Sequence, residues 1–330
     1  DSTVNGPFYL AELYDFTFWE QLEEIPAYLF ANTEFLEEKN LTIDMPVGDC
    51  AFYTDFSSNQ GFGTLVIGES VTYMGKRAFY GRDIGTLSYQ AVSAVNGNED
   101  LTEAAFYNCD LGSLSIGEQV ETLDGGSFCG IRLLQDTLVI PDSVSKIGSC
   151  CFYDPSTNHD WLQVKHLEIG KGLKELSYYG FYGLKFQTIS VEAVTSGENY
   201  QASVPGEYTR YLPECETISI HRGSDFYDFF AAKAAKEHLY CDAYLVPSVG
   251  DEYFDEEKKQ YVTPHYETCS VCGYQIRTDH YEQAFAVTFV ADGEILDILY
   301  CKKNGTVTAP VVPEKDGFSF QGWDCDFSSV

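Results

Sequence analysis

The sequence is poor in basic side chains. Its 330 residues include 20 lysines and arginines against 51 aspartates and glutamates, so the formal net charge is -31 at pH 7. A surface with this charge repels the phosphates of nucleic acids and the anionic surfaces of membranes. We therefore expect no nucleic-acid partner, and the simplest interpretation of the charge is that it keeps an exposed protein dispersed.

Long hydrophobic runs are missing too. The chain contains no stretch of about 18 apolar residues, the length of a membrane-spanning helix, so we expect no direct membrane insertion in this segment. It begins at Asp1 without a signal-peptide pattern, and we expect an export signal to lie outside this chain. Apolar residues nevertheless make up 44% of the sequence, which is ample for packed cores.

The motifs of common catalytic sites are also absent. The six histidines are scattered, and neither His-Glu-x-x-His nor Gly-x-Ser-x-Gly occurs. Catalysis requires a base beside a nucleophile or a metal. The sequence therefore favours a protein that is not an enzyme, although close carboxylate pairs among 51 acidic residues leave an unrecognised active site as an alternative.

An internal repeat dominates what is present. Four segments of matching pattern start at residues 64, 113, 137 and 166, and the first of them reads TLVIGESVTYMGKRAFYGR. Four further copies are less regular, and the eight copies together begin 22 to 29 residues apart. The opening apolar residues of all copies are Leu41, Leu65, Leu87, Leu114, Leu138, Leu167, Ile189 and Ile218.

Each repeat has a readable local structure. The Leu-x-Ile opening places two apolar side chains on one face of a short strand, and Gly-Glu, Pro-Asp or Gly-Lys then mark a turn. One unit has too little apolar surface to fold alone, whereas stacked units bury a continuous core. We predict a right-handed, β-rich solenoid with short parallel strands and few short helices.

The pattern Leu-x-Ile, Val, Met-Gly and Ala-Phe within residues 65–79, together with its sister copies, resembles the BspA-type leucine-rich repeat of bacterial surface proteins. The resemblance covers residues 41–245. It implies an extracellular, cell-surface adhesin or ligand-binding ectodomain that recognises a host or neighbouring-cell protein or glycan through the solenoid surface and inserted loops. We expect a monomer. A structural spacer that holds another module away from the cell wall is the alternative.

The two ends of the repeat array differ from its middle, as capping units do. Residues 1–40 are predicted to form an N-terminal capping segment. At the other end, residues 226–238 are rich in helix formers. They predict a helical cap with Ser224 or Asp225 as its N-cap.

The hydrophobic pattern of the sequence changes after the repeat array. Residues 246–283 are charged and rich in tyrosine, and are predicted to form a linker with some strand content. Residues 284–330 alternate apolar and polar residues, turn at Asp292-Gly293 and end on a Gly-Trp pair at residues 322–323. They resemble the Listeria–Bacteroides repeat, a small β-grasp-like module, without its closing strand, so this copy can be incomplete.

Eleven cysteines occur at irregular spacings, which argues against a disulfide framework. The pattern His265-x3-Cys269-x2-Cys272-x7-His280 combines the ligand types that zinc prefers, and Cys-x2-Cys has the right bite for two of them. A zinc ion is therefore one interpretation. The other, which the lack of a second Cys pair at this spacing favours, is a β-turn with incidental cysteines.

Loops inserted between repeats are the best candidates for ligand binding, since such loops cluster on one side of a solenoid. Two inserts are rich in aromatic residues, and from them we predict Trp161, Tyr200, Tyr208 and Tyr211 as ligand contacts. A tyrosine also follows the phenylalanine of most repeats. This row is interpreted either as packing between neighbouring coils, which we favour, or as a platform that stacks on a ligand.

Overall fold

The computed structural model describes residues 5–9, 11–13, 21–35, 39–55, 61–156, 158, 160–177, 179–194, 212–327 and 330. The chain divides into two compact units, Asp1–Cys241 and Asp242–Val330. The first unit contains the repeats. The second contains antiparallel strands.

The first unit is built almost entirely from strands. It also contains one short helix, α1 (Tyr227–Ala231), and a 3-10 turn at Leu101–Glu103, and a further 3-10 turn, Tyr240–Ala243, begins at its last residues. Its strands are β1 (Glu12–Leu13), β2 (Glu34–Phe35), β3 (Lys39–Ile43), β4 (Phe62–Ile67), β5 (Tyr73–Met74), β6 (Asp83–Tyr89), β7 (Val95–Asn96), β8 (Asp110–Ile116), β9 (Thr122–Leu123), β10 (Arg132–Ile140), β11 (Lys146–Ile147), β12 (Leu162–Ile169), β13 (Glu175–Leu176), β14 (Lys185–Val191), β15 (Glu214–Ile220) and β16 (Ala234–Leu239).

Nine of these strands form one parallel sheet whose spatial order follows the chain order, from β3 through β4, β6, β8, β10, β12, β14 and β15 to β16. The repeat phase sets the register, because Leu41 pairs with Leu65 and Leu138 pairs with Leu167. Leu65 and Ile67 are fully buried, so the Leu-x-Ile opening of this coil points into the core. The predicted solenoid with short parallel strands is confirmed.

A second row of short strands carries the next inward-facing position of the repeat. β5 pairs with β7, and β9, β11 and β13 form a three-stranded parallel sheet. Met74, Leu123 and Ile147 on these strands are buried. Each coil therefore presents apolar side chains to the core from two sides.

Stacked phenylalanines fill the third side of the core. The ring centroids of neighbours in the stack lie 5.0 to 6.3 Å apart. Backbone hydrogen bonds join the same neighbouring coils. The N–H of Phe52 donates to the carbonyl oxygen of Ala78 (2.6 Å), and the N–H of Phe79 donates to that of Ala105 (2.8 Å). The phenylalanine ladder consists of Phe8, Phe30, Phe52, Phe79, Phe106, Phe128, Phe152 and Phe181.

The repeat array begins earlier than the sequence pattern indicates. Within the predicted capping segment 1–40, Phe30 stacks on Phe52 with ring centroids 5.1 Å apart, and Ile25 forms a parallel bridge to the next coil. The described part of this segment therefore continues the phenylalanine ladder. Sequence reasoning missed this coil because residues 1–40 lack the Leu-x-Ile opening of the other copies.

The predicted helix over residues 226–238 is present only in part. α1 ends at Ala231, and β16 then adds a parallel strand to β15. The predicted N-cap at Ser224 or Asp225 is wrong, because Phe226 is the N-cap of α1 and makes no side-chain capping hydrogen bond; the hydroxyl of Ser224 accepts a hydrogen bond from the N–H of Phe226 (3.2 Å). Beyond α1 the edge of the sheet offers backbone hydrogen bonds, and these override the helix propensity of the sequence. No helix among the described residues is long and apolar enough to cross a membrane.

The side chain of Gln135 compensates for extra residues in β10. β10 pairs with β8 at an offset of 22 residues at its start, whereas Leu114 and Leu138 lie 24 residues apart. The side-chain amide of Gln135 fills the gap between the strands. Its Oε1 accepts from the N–H of Leu114 (2.9 Å), and its Nε2 donates to the carbonyl oxygens of Leu114 (3.4 Å) and Thr137 (2.6 Å).

A buried arginine crosses several coils. Arg82 is fully buried, and its guanidinium donates to the carbonyl oxygens of Phe52 (2.7 Å), Thr33 (3.2 Å) and Phe30 (3.3 Å). It also lies 4.7 Å from the ring of Phe35. Burial lowers the pKa of Arg82 to about 9, and the carbonyl oxygens replace water around the cation. Arg82 therefore joins coils that are up to 52 residues apart in sequence.

The second unit consists of antiparallel strands. β17 (Leu245–Val249), β18 (Tyr253–Asp255), β19 (Gln260–Cys269) and β20 (Gln275–Gln283) form one sheet with β19 inside it, and β21 (Phe285–Ala291) and β22 (Glu294–Cys301) form a hairpin. The segment 246–283, which the sequence presented as a linker, thus carries most of a sheet. Its alternating Tyr, Val and Thr residues suit strands even without Leu and Ile.

Gln135 provides a test of the register. Replacing Gln135 by Ala leaves the backbone N–H and carbonyl of Leu114 without this partner, and we expect a loss of about 1–3 kcal/mol in the free energy of unfolding. Urea unfolding measures it. Gln187→Ala is the matched control, because Gln187 is exposed on β14 of the same sheet; its expected change is below about 0.5 kcal/mol. Equal changes in both variants would contradict the bridging role.

Candidate binding surface

The tyrosines that follow the phenylalanine ladder form a second, half-buried row. Tyr53 stacks on Tyr80 (centroids 4.9 Å apart), Tyr80 on Tyr107 (6.1 Å), and Tyr153 packs against Tyr182 (4.9 Å). Burial raises the pKa of Tyr107. These contacts run from coil to coil and support the packing interpretation of the row.

The row is interrupted at Cys129, which takes the position that tyrosine has in the neighbouring coils. Trp161, from the insert that follows Tyr153, packs edge-on against Tyr107 across this gap (6.2 Å, 69°). The guanidinium of Arg132 lies 4.4 Å from the centre of the Trp161 ring, within the range of a cation–π interaction. Trp161 therefore lies at a defined place on the surface, held by an aromatic ring and a cation.

A buried carboxylate fixes the insert that carries Trp161. Asp154 is fully buried, and its two oxygens accept hydrogen bonds from the backbone N–H groups of Ser156 (2.8 Å), Trp161 (2.8 Å) and Leu162 (3.1 Å). Hydrogen bonds to a charged acceptor are among the stronger ones. They close the insert at both of its ends and set the direction in which Trp161 leaves the sheet.

Trp161 and Arg132 line a groove of about 530 Å³ at the beginnings of β8, β10 and β12. Arg132 forms an ion pair with Asp110 (3.3 Å) and also donates to the carbonyl oxygen of Asn108. The groove thus combines an aromatic face, a cation, carboxylates, an amide and an exposed leucine. Its lining residues are Asp110, Leu111, Gly112, Arg132, Leu133, Leu134, Asp160, Trp161 and Gln163.

The structure describes only one of the four predicted ligand contacts. Trp161 lies in the groove just described. Tyr200, Tyr208 and Tyr211 lie outside the described residues, so their role stays a prediction. Sequence reasoning missed Arg132 and Asp110, because the start of a strand carries no motif. The available signal was Cys129, a cysteine at the repeat position where neighbouring copies have tyrosine.

The predicted metal ligands lie on one hairpin of the second unit, in two separate places. Cys269 ends β19 and is buried, whereas His265 is exposed four residues earlier on the same strand, a separation of about 13 Å. His280 pairs with Thr263, further still from Cys269, and the imidazoles of His265 and His280 are neighbours, with centroids 6.5 Å apart. The structure does not bring these histidines to the cysteine pair.

The two cysteines form a compact turn. The N–H of Cys269 donates to the carbonyl oxygen of Tyr274 (2.8 Å), and the N–H of Gly273 donates to that of Cys269 (2.9 Å). Gly273 has φ +73°, a conformation that favours glycine. The turn therefore depends on Gly273, which directly follows the Cys-x2-Cys pair.

The first unit contains a His–Cys pair that the sequence pattern did not indicate. Ile220 pairs with Leu239 across β15 and β16, so the chain leaves both strands at one edge of the sheet. There the Nδ1 atom of His221 lies 3.9 Å from the Sγ atom of Cys241. The N–H of Arg222 donates to the same sulfur (3.2 Å). His221 and Cys241 are both buried.

Asp154 offers a test of how the groove is built. Asp154→Ala leaves three backbone N–H groups without their acceptor, and we expect a loss of about 2–3 kcal/mol in the free energy of unfolding. Chemical denaturation followed by circular dichroism measures it. Asp160→Ala is the control from the same insert, because Asp160 is exposed. A change below about 0.5 kcal/mol for both variants would show that Asp154 does not hold the insert.

Comparison with protein families agrees with the repeat geometry. The model of the BspA type leucine-rich repeat region matches six copies, over residues 2–57, 99–159 and 137–203. No curated protein and no solved structure matches the chain. The first match begins at residue 2, in agreement with the early start of the phenylalanine ladder. Residues 2–57 and 99–203 of this chain therefore carry BspA-type leucine-rich repeats.

Proposed function

We propose that this chain is the ligand-binding ectodomain of a bacterial cell-surface protein, an adhesin without enzymatic activity, and that the groove beside Trp161 is its recognition site. The observation that carries the proposal is the placement of Trp161. Its ring is only partly buried, and it is held by Arg132, Tyr107 and the backbone hydrogen bonds to Asp154.

The chemistry of the groove suits a glycan or a peptide from a host or neighbouring cell. A fixed aromatic face stacks on the apolar face of a sugar ring or on a side chain, and aromatic and arginine residues are enriched where interfaces bind most tightly. Asp110, Asp160 and Gln163 add acceptors and a donor at the rim. We place the protein outside the cell and expect a monomer.

The second unit is consistent with an accessory surface module. β21 and β22 meet at Asp292 and Gly293, which both have positive φ, and Phe289 packs edge-on against Trp323 (4.9 Å). This is the predicted place of the turn and of the terminal tryptophan in a Listeria–Bacteroides repeat. We propose that residues 284–330 are such a module.

A binding screen tests the function. The chain is screened against immobilised extracellular-matrix proteins, mucin and a glycan array. We expect one class of ligand to bind and Trp161→Ala to weaken this binding by about 10-fold or more, since loss of a central aromatic contact costs about 2 kcal/mol.

Tyr53→Ala is the matched control, because Tyr53 is a half-buried aromatic residue at the other end of the tyrosine row. It should leave binding unchanged, and circular dichroism verifies that both variants are folded. Equal binding by Trp161→Ala would place recognition elsewhere on the surface. A screen without any binding would favour the alternative, a spacer that presents another module.

A further inference from the structure

Carboxylates outnumber cations at the groove beside Trp161. Asp83 and Asp110 are direct partners at the starts of β6 and β8, so two carboxylates leave the sheet from neighbouring strands, whose backbones are about 4.8 Å apart. Arg132 is the partner of Asp110 on its other side and forms an ion pair with it. Asp160 adds a third carboxylate to this surface, and Arg132 is the one cation among the described residues that line the groove.

The pKa of Asp83 shows that the nearby cations do not balance this negative charge. Burial raises the pKa of Asp83, and the charge of Asp110 raises it further, whereas Arg132 and the buried Arg82 lower it. The net direction is upward. Like charges at directly opposite positions of a sheet repel each other, so a further cation from a ligand would stabilise this pair of carboxylates.

Arg132 is already engaged by the protein itself. Its guanidinium donates to both carboxylate oxygens of Asp110 (3.3 and 3.4 Å) and to the backbone and side-chain oxygens of Asn108. It also lies against the ring of Trp161. An acidic ligand would have to compete with Asp110 for this guanidinium and would be repelled by Asp160. The groove therefore disfavours acidic glycans and acidic peptides.

The carboxylate of Asp160 is available to a ligand. The backbone of Asp160 is fixed, because its N–H donates to the hydroxyl of Ser156 (3.0 Å) and its carbonyl oxygen accepts from the side chain of Gln163 (2.7 Å). Its side chain is exposed, and within the part of the chain that the structure describes it forms no ion pair. Asp160 thus offers a negative charge at a defined place without a cation of the protein beside it.

Apolar surface lies beside these charges. Leu134 on β10 is 73% exposed and is the direct partner of Gln163, and the ring of Trp161 lines the same groove. Lysine and arginine side chains combine an apolar stem with a charged end, which matches this arrangement. A sugar would instead place hydroxyl groups against Leu134, which offers them no hydrogen bond. The volume of about 530 Å³ lies within the usual range of ligand sites.

We propose that this groove binds a lysine or arginine side chain presented by a peptide segment of the partner. The inference rests on the function proposed above and names the ligand class for the same site. The apolar stem packs against Trp161 and Leu134, and the charged end lies between Asp110 and Asp160. The net charge of -31 speeds the encounter with cationic partners, and the groove supplies the specific contacts.

Selection from a peptide library tests the ligand class. Short random peptides displayed on phage are selected on the full chain at physiological salt, and an array of neutral and acidic glycans is probed in the same buffer. We expect the selected peptides to share a lysine or arginine beside an apolar residue. Replacing that cation by glutamine in a synthetic peptide should weaken binding about 5-fold. Selected peptides without a shared cation would overturn the proposal.

Two variants of equal charge test the site. Asp160→Asn should weaken binding of the selected peptide about 3-fold, but should not change binding of its glutamine-substituted form, because the ion pair is then already absent. Glu118→Gln is the matched control, since Glu118 is exposed beyond the opposite end of β8; it should leave binding unchanged. Equal weakening by both variants would show attraction to the net charge alone and would contradict the proposal.

The wild-type chain provides a test that no folding defect can affect. Added salt should weaken binding of the cationic peptide more than binding of its glutamine-substituted form, because salt screens the ion pair. Equal salt dependence of the two peptides would argue against the proposed contact.

Failure of this inference can be told from failure of the proposed function. A glycan or an uncharged peptide whose binding is weakened by Trp161→Ala would keep the groove as the recognition site and overturn the cationic ligand. Cationic peptides that bind Trp161→Ala and the wild-type chain equally would contradict both. So would the absence of any selected peptide and of any bound glycan.

Discussion

The structure of the first unit depends on the stacking of each coil on the next. The phenylalanine ladder supplies apolar area and ring contacts, and the backbone N–H of a ladder residue donates to the carbonyl oxygen that precedes the next ring. A single coil can satisfy neither requirement, because its ring and its N–H both need a neighbour. The same constraint explains the small residue that precedes the ladder phenylalanines from Phe52 onward, where Ala51, Ala78 and Cys151 are fully buried.

Departures from this regular stacking produce the functional candidates. Cys129 breaks the tyrosine row, and Trp161 packs across the gap from an insert in the next coil. The extra residues in β10 separate it from β8 and leave Leu134 exposed beside Arg132. Both irregularities meet at the same edge of the sheet. A groove with charged and aromatic walls lies where the repeat is least regular, as expected when a rigid scaffold presents variable segments.

The cysteines divide by their surroundings. In the solenoid core Cys109 and Cys129 are buried, and burial raises the pKa of each thiol to about 12, so they stay neutral and unreactive near pH 7. Cys241 instead accepts a backbone hydrogen bond and has an imidazole beside it. Residue type is the same in both cases. The neighbouring imidazole of His221 is what distinguishes the surroundings of Cys241 from those of Cys109 and Cys129.

The sequence by itself determined the repeat, the register of the main sheet and the turn at Asp292-Gly293, because each follows from side-chain periodicity or local backbone preference within one repeat. The tertiary structure alone decided three things. β16 is a strand because the edge of the sheet beside it was open. Trp161 contacts Arg132 because an insert folds back over an earlier coil. The exposed histidines of the β19–β20 hairpin lie far from Cys269 because the rise along the strand separates them. These outcomes depend on contacts between residues far apart in sequence, which no local pattern records.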